Sequence, residues 1–265
     1  MAIAERMLSL LRDPVSLEPL ELDGDQLVNK TSHRRYPIIN SIPVLVDPAV
    51  LGPQNLKFQR MYDWMSHGYD LFQKVGDLFY QGKIARLRRQ IASKLSLKAG
   101  DRCLYTSIGT GVDLPYFAER VSLEKIDLVG LDLSVGMLRR CKRRILPYEA
   151  TSMLVQANAE RLPLADRSFD VVWHVGGINF YDQPAVAVKE MLRVAKPGAI
   201  ILIADETKEV VEKNYQRSPL TRSYFKDAST NFMPRDWVPA GVSDPIYEEV
   251  WNGKGYILTF KAPGR

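Results

Sequence analysis

Cysteine is scarce in this chain: 265 residues hold two, Cys103 and Cys141. Two thiols so far apart exclude a disulfide framework and a cysteine-built metal set. Both fall in apolar segments read as a core strand and a helix, which speaks against thiolate chemistry. Long apolar runs are missing too. None approaches the ~18 residues of a transmembrane helix. The opening stretch MAIAERMLSLLRDP mixes acidic and basic residues into its apolar positions, unlike a signal peptide. A cytoplasmic protein is therefore expected. Neither sign of charge dominates: 36 Lys and Arg face 31 Asp and Glu, for a net +5. The basic residues Arg139, Arg140, Lys142, Arg143 and Arg144 cluster on an expected helix capped by Ser134, and read as its solvated face. No nucleic-acid motif accompanies them, so nucleic acid is not an expected partner. A peripheral membrane surface and self-association stay open.

What is present divides the chain. Residues 1–47 read as a small α+β module: a short helix, Ala2 to Leu11, then strand-like runs around the Asp23-Gly24 turn, and RRYPIINSIPVLV. Residues 48–57 (containing DPAVLGP) read as a linker. Residues 58–98 are expected to be helical, dividing near Gly68 and again around Gly76 and Gly82. They are dense in Tyr62, Trp64, His67, Tyr69, Phe72, Phe79 and Tyr80. From residue 99 strands and helices alternate: strands 103–108, 127–131, 152–156 and 169–175, helices 113–120, 134–145 and 184–194. The apolar run AIILIAD follows a turn at Pro197-Gly198. The tail differs, with IYEEVW and GYILTF joined around Asn252-Gly253 as a hairpin. The expected fold is α/β: a doubly wound, mostly parallel sheet of seven strands closed by a carboxyl-terminal antiparallel hairpin.

The most telling stretch is CLYTSIGTGVDLPYF. A short apolar run meets the turn Gly109-Thr110-Gly111, and Asp132 follows at the tip of the next apolar run. Glycines let backbone approach a ligand where a Cβ would collide. A carboxylate about twenty residues on can accept both hydroxyls of a ribose. This is the layout of a nucleotide-type cofactor site at the carboxyl edge of a parallel sheet.

With LDLS at 131–134, NAERLPLADRSFDVV at 158–172, LRVAKPGAIILIAD at 192–205 and the hairpin, the chain resembles the class I S-adenosylmethionine-dependent methyltransferases from about Phe58 to Pro263. MYDWMSHGYDLFQ is similar to the start of the ubiquinone/menaquinone C-methyltransferase group. The resemblance implies S-adenosylmethionine as cofactor and a small-molecule acceptor. Gly109 and Gly111 would flank the methionine part, Asp132 would hold the ribose, and Leu133 and Met137 would lie near the adenine. Asn158-Ala159 stands where relatives commonly carry Asp-Ala. His174 would end the fourth strand beside the methyl group. His174, His67 and Tyr62 are the candidate catalytic groups, and Asp205 and Glu206 would close the fifth strand within reach of the acceptor. Two positions depart from the pattern: Tyr105 replaces the acid that helps hold the methionine amino group, and Ser107 replaces the first glycine.

Residues 8–46 resemble the zinc-ribbon-like module fused to, or partnered with, many methyltransferases. Asp13, Ser16, Asn29 and Ser32 stand where metal-binding versions carry cysteines, so no metal is expected. An apolar set including Leu11, Leu20, Ile38, Ile42, Val44 and Leu45 would hold the module. An aromatic, mostly uncharged pocket would suit a phenol, quinol or isoprenoid-type acceptor. A degenerate cofactor-binding protein, a non-methylating enzyme on the same fold and a protein-interaction module remain alternatives. A nicotinamide dehydrogenase leaves the hairpin and the LPLADRSFD phrase without a purpose.

Overall fold

The computed structural model describes residues 5–79, 81–217, 225 and 233–264. A mixed sheet runs through the molecule. Its strands are β1 (Glu21–Asp23), β2 (Gln26–Val28), β3 (Arg35–Ile39), β4 (Ile42–Leu45), β5 (Arg102–Thr106), β6 (Asp127–Asp132), β7 (Ser152–Ala157), β8 (Phe169–Val175), β9 (Ala195–Glu206), β10 (Ser243–Val250) and β11 (Gly255–Lys261). They lie in the order β1-β2-β3-β4-β7-β6-β5-β8-β9-β11-β10. The expected fold has seven strands; among the described residues the mixed sheet has eleven, because the amino-terminal module does not stand apart. β4 pairs in parallel with β7, Val44 against Gln156 and Leu45 against Ala157. Leu11 bridges to Leu164. Met7, Leu10, Leu11, Leu27 and Leu45 share one buried cluster with Val155, Leu162 and Leu164. The apolar residues expected to hold the module together thus also weld it to the main sheet.

The module has a polar centre as well. Asn29 Nδ2 lies 2.8 Å from Asp13 Oδ2, 3.0 Å from Ser16 Oγ and 2.9 Å from Glu18 Oε2. The Ser32 hydroxyl donates to Asp13 Oδ2 at 3.5 Å, and the Tyr36 hydroxyl to Asp13 Oδ1 at 3.1 Å. Burial would raise the Asp13 carboxyl, but donors from Val15, Ser16, Asn29 and Tyr36 hold it below its usual range. The four positions that differ from metal-binding ribbons therefore meet, and hydrogen bonds join them.

The helices are α1 (Glu5–Leu8), α2 (Pro53–Met65), α3 (Tyr69–Phe79), α4 (Lys83–Ser93), α5 (Leu114–Ala118), α6 (Val135–Ile145), α7 (Pro184–Val194) and α8 (Lys208–Val210). α1 is shorter than the expected helix, whose Ala2 to Ala4 lie outside the described residues. The stretch taken as a linker is helical from Pro53, because Asp182 caps α2: Gln54 N–H and Asn55 N–H donate to its carboxylate at 3.0 and 2.9 Å. Gly76 sits inside α3 and does not break it, and Tyr80 lies outside the described residues. Pro197-Gly198 is a bulge within β9, where pairing with β8 jumps from Phe169–Ala195 to Val171–Ile200. At the hairpin, Trp251, Asn252 and Gly253 all have positive φ, as its tight reversal requires.

β5 is the switch point. The chain winds from it through β6 to β7 on one side, then returns to β8 and β9 on the other. In such sheets the crevice opens beyond the carboxyl ends of the strands at this place.

Candidate active site

A cavity of about 490 Å³ occupies that crevice. The carboxyl ends of β6, β8 and β9 and the loop after β5 form its floor. α2, α3 and α4 cover it with Phe58, Tyr62, Tyr69, Gln73 and Arg88. The volume suits a small-molecule site.

β5 stops at Thr106 because Ser107 turns left-handed, with φ 55°. That conformation costs a residue with a Cβ about 1–2 kcal/mol. The Ser107 hydroxyl meets the Tyr181 hydroxyl in the cavity wall. Gly109 follows at φ 57°, and a Cβ there would find no protein atom within 4 Å. Bare backbone thus faces open space, room that a ligand can use. Gly111 is different. A Cβ there would lie 2.8 Å from Cys141 Sγ and 2.9 Å from Leu114 Cδ1. It packs behind the loop and is not part of the cavity wall, so only one of the two glycines can flank a ligand.

Asp132 ends β6. Gly109 N–H donates to its Oδ2 and Ser134 N–H to its Oδ1, both at 2.8 Å. Burial pushes the carboxyl up to about 6, against the pull of those donors and of Leu133 N–H. Leu133, Met137, Asn158 and Ala159 line the same end. Asn158 Oδ1 accepts from Glu160 N–H at 2.9 Å, which fixes the side chain and leaves one lone pair free.

Three other expected site residues leave the wall. Tyr105 is buried in the core against Phe117 and Trp173, with ring centroids 5.9 and 5.1 Å apart. Its hydroxyl donates to Asp113 Oδ2 at 2.8 Å, and it is Asp113 that lines the cavity. His174 is fully buried behind the wall, its Nδ1 3.2 Å from Thr106 Oγ1. Burial pushes its pKa down to about 3. Fully buried and absent from the cavity lining, the ring sits as a core histidine in this structure. His67 is exposed past the end of α2, with Nδ1 3.4 Å from Trp64 O. Of the three catalytic candidates, Tyr62 alone lines the cavity, and burial raises its phenol above the usual range.

The acidic pair at the end of β9 divides its duties. Asp205 accepts from Gly177 N–H at 2.9 Å, Asn179 N–H at 3.2 Å and Glu206 N–H at 2.8 Å, stapling the segment after β8 to β9. Glu206 faces the aromatic side of the cavity. Burial and then the Asp205 charge push its carboxyl up to about 7, while a hydrogen bond from Tyr215 pulls the other way. Tyr215, Tyr181, Arg88 and Asp113 were not foreseen, although Asp113 lies within the glycine-turn stretch itself. Only the spacing of Asp113 from the glycine loop could have flagged it.

The methyltransferase domain family matches residues 104–203. A demethylmenaquinone methyltransferase of Paenarthrobacter aurescens is 31% identical over 174 residues, 66% of this chain and 62% of its own length. The chain thus spans less than two thirds of that relative. Another, from Beutenbergia cavernae, is 30% identical over 211 residues, 74% of this chain and 83% of the relative. The chain belongs to the class I S-adenosylmethionine-dependent methyltransferases. A solved complex of the Haloferax volcanii Trm112 methyltransferase activator and a methyltransferase shares the fold of this family member: TM-score 0.56, 15% identity, 76% of this chain and 97% of the matched chain. The methyltransferase residues fit the cofactor where they can be tested. Asp132 brings a carboxylate to the cavity wall, and the space beside Gly109 is one that a side chain would fill. No helix among the described residues is long and apolar enough to cross a membrane.

Proposed function

We propose that the protein transfers a methyl group from S-adenosylmethionine to a small lipophilic acceptor of the phenol, quinol or isoprenoid type. One observation carries this reading: a single cavity joins the Asp132 end to an aromatic compartment. There Phe58 and Phe180 pack at 5.1 Å beside Tyr62 and Tyr215. The curated relatives named for demethylmenaquinone support the same class of acceptor.

The bound cofactor supplies a methyl already activated on a sulfonium. Asp132 holds the ribose, and Leu133, Met137 and Asn158 orient the base. The helices over the cavity exclude water, so alignment of the acceptor does most of the work. Glu206 is the group placed to take a proton from the acceptor. Its carboxyl titrates near neutrality, which suits a general base, and Tyr215 steadies it.

The test is transfer of methyl label from S-adenosylmethionine into an organic extract. Phenols, reduced naphthoquinones and prenylated quinols would be offered in turn. Label in the extract with the wild type, absent with Asp132→Ala, supports the reading. Cofactor binding without label transfer to any of them would reject the acceptor class.

A further inference from the structure

An α-amino acid presents an ammonium and a carboxylate, and a shielded site must answer both charges. The methionine end of the cofactor is such a group, and this inference rests on the cofactor reading above. The family pattern puts an acid at the position of Tyr105. A phenol there carries no charge, and burial raises its pKa further. Yet Tyr105 is long, and its hydroxyl ends 2.8 Å from Asp113 Oδ2. The carboxylate has in effect moved from the strand to the loop that follows Gly109-Thr110-Gly111.

Asp113 is buried and lines the same cavity as Asp132. Its Oδ1 is 2.5 Å from Arg88 Nε. That ion pair misses hydrogen-bond alignment, so Oδ1 accepts no hydrogen bond within the protein. Arg88 comes from α4 and is itself steered by Gln73, which accepts from Nη2 at 2.9 Å. Among the described residues lining the cavity, Arg88 is the single base, and the other charged ones are carboxylates. Among the described residues, a ligand carboxylate in this cavity has no other cation to meet.

We propose that Asp113 and Arg88 form the subsite for the amino-acid end of the cofactor, Asp113 receiving the ammonium and Arg88 the carboxylate. Tyr105 is a positioning residue: it holds Asp113 by its hydroxyl and touches no ligand. On this arrangement a helix of the cover reads the amino acid, while the sheet edge reads the nucleoside.

Two probes separate the halves. S-adenosylhomocysteine carries the amino acid; 5′-methylthioadenosine keeps the adenosine and sulfur and lacks it. Calorimetric titration of Arg88→Gln and Asp113→Asn should show S-adenosylhomocysteine bound about tenfold to a hundredfold more weakly. Methylthioadenosine should stay within about twofold of the wild type. Tyr105→Phe should show the same selectivity with a smaller loss. Asp132→Ala should weaken both ligands, which reports the ribose contact. If the Arg88 and Asp113 variants bind both ligands as the wild type does, or lose both alike, the pair is only a latch between α4 and the core and the proposal falls. Should Arg88→Gln fail to fold, Arg88→Lys retains a cation and must still show the selective loss. A wild type that binds neither ligand would overturn the cofactor reading itself.

Discussion

On the proposed cofactor reading, protonating Asp132 removes the acceptor that would hold two ribose hydroxyls. Its carboxyl titrates near 6, because burial outweighs the donors from Ser134 and Gly109. The ionised form binds, so affinity for S-adenosylhomocysteine should be flat above about pH 7. It should fall below about pH 6, approaching tenfold per unit. Asp132→Asn should bind about tenfold to a hundredfold more weakly and lose that pH dependence, as calorimetry across the range would show. Ser107 makes a second residue-scale case. Its φ of 55° strains any side chain, and its hydroxyl meets Tyr181. Ser107→Gly and Ser107→Ala both lose the hydroxyl, but only glycine relieves the backbone. The glycine variant should be more stable than the alanine variant by about 1–2 kcal/mol, seen as a higher Tm. Equal stability would mean that the loop is not strained. That Asp132 and Gly109 stand at the sheet edge, lining one cavity, was legible in the sequence. The roles of His174 and Tyr105 were not. A motif places a residue on a strand end, but it does not say whether the side chain turns toward the crevice or the core.

Each covering helix is tied by a carboxylate to α6 or to the loop after β5. Asp63 on α2 accepts from the Ser134 hydroxyl at 2.6 Å and from Gly136 N–H at 2.8 Å, capping α6 from outside. Asp70 on α3 accepts from the Thr110 hydroxyl at 2.7 Å and pairs with Arg144 at 2.9 Å. Asp113 fastens Arg88 of α4. α2 and α6 touch most closely at Gly136, where a Cβ would come within 2.7 Å of Ser66 Oγ and 3.0 Å of Asp63 O. Alanine would gain about 1 kcal/mol of helix propensity there. Forcing backbone apart costs about 1–3 kcal/mol, so the clash decides the sign. Gly136→Ala should lower Tm and speed amide exchange along α2, read by mass spectrometry. Faster exchange in the module instead would contradict this coupling. Helix positions were partly legible because apolar periodicity is a local signal, but Gly76 breaks nothing and α2 begins inside the expected linker. The ties between them were not, since they join residues such as Asp63 and Ser134 that lie 71 positions apart.

At the scale of the whole molecule the amino-terminal module completes the sheet. Its β4 covers the edge of β7, and Leu11 and Leu45 sit in the same core as Val155 and Leu164. Removing residues 1–47 should therefore give an aggregating protein, not a soluble methyltransferase core; gel filtration decides. Within the module Asn29 spans three acceptors, one of them the buried Asp13. Asn29→Ala should cost about 3 kcal/mol and lower Tm by about 6–12 °C. A change within about 1 °C would show that apolar packing alone holds the module. The sequence marked this module as a separate unit because its strands are antiparallel and its turn signals are local. Pairing of β4 with β7 is a long-range event that no local pattern announces. The measurement that tests the whole account most directly is calorimetric titration of the intact protein with S-adenosylmethionine and S-adenosylhomocysteine. Micromolar binding of both, weakened together by Asp132→Ala, is the predicted result. No binding of either at millimolar ligand would contradict the account.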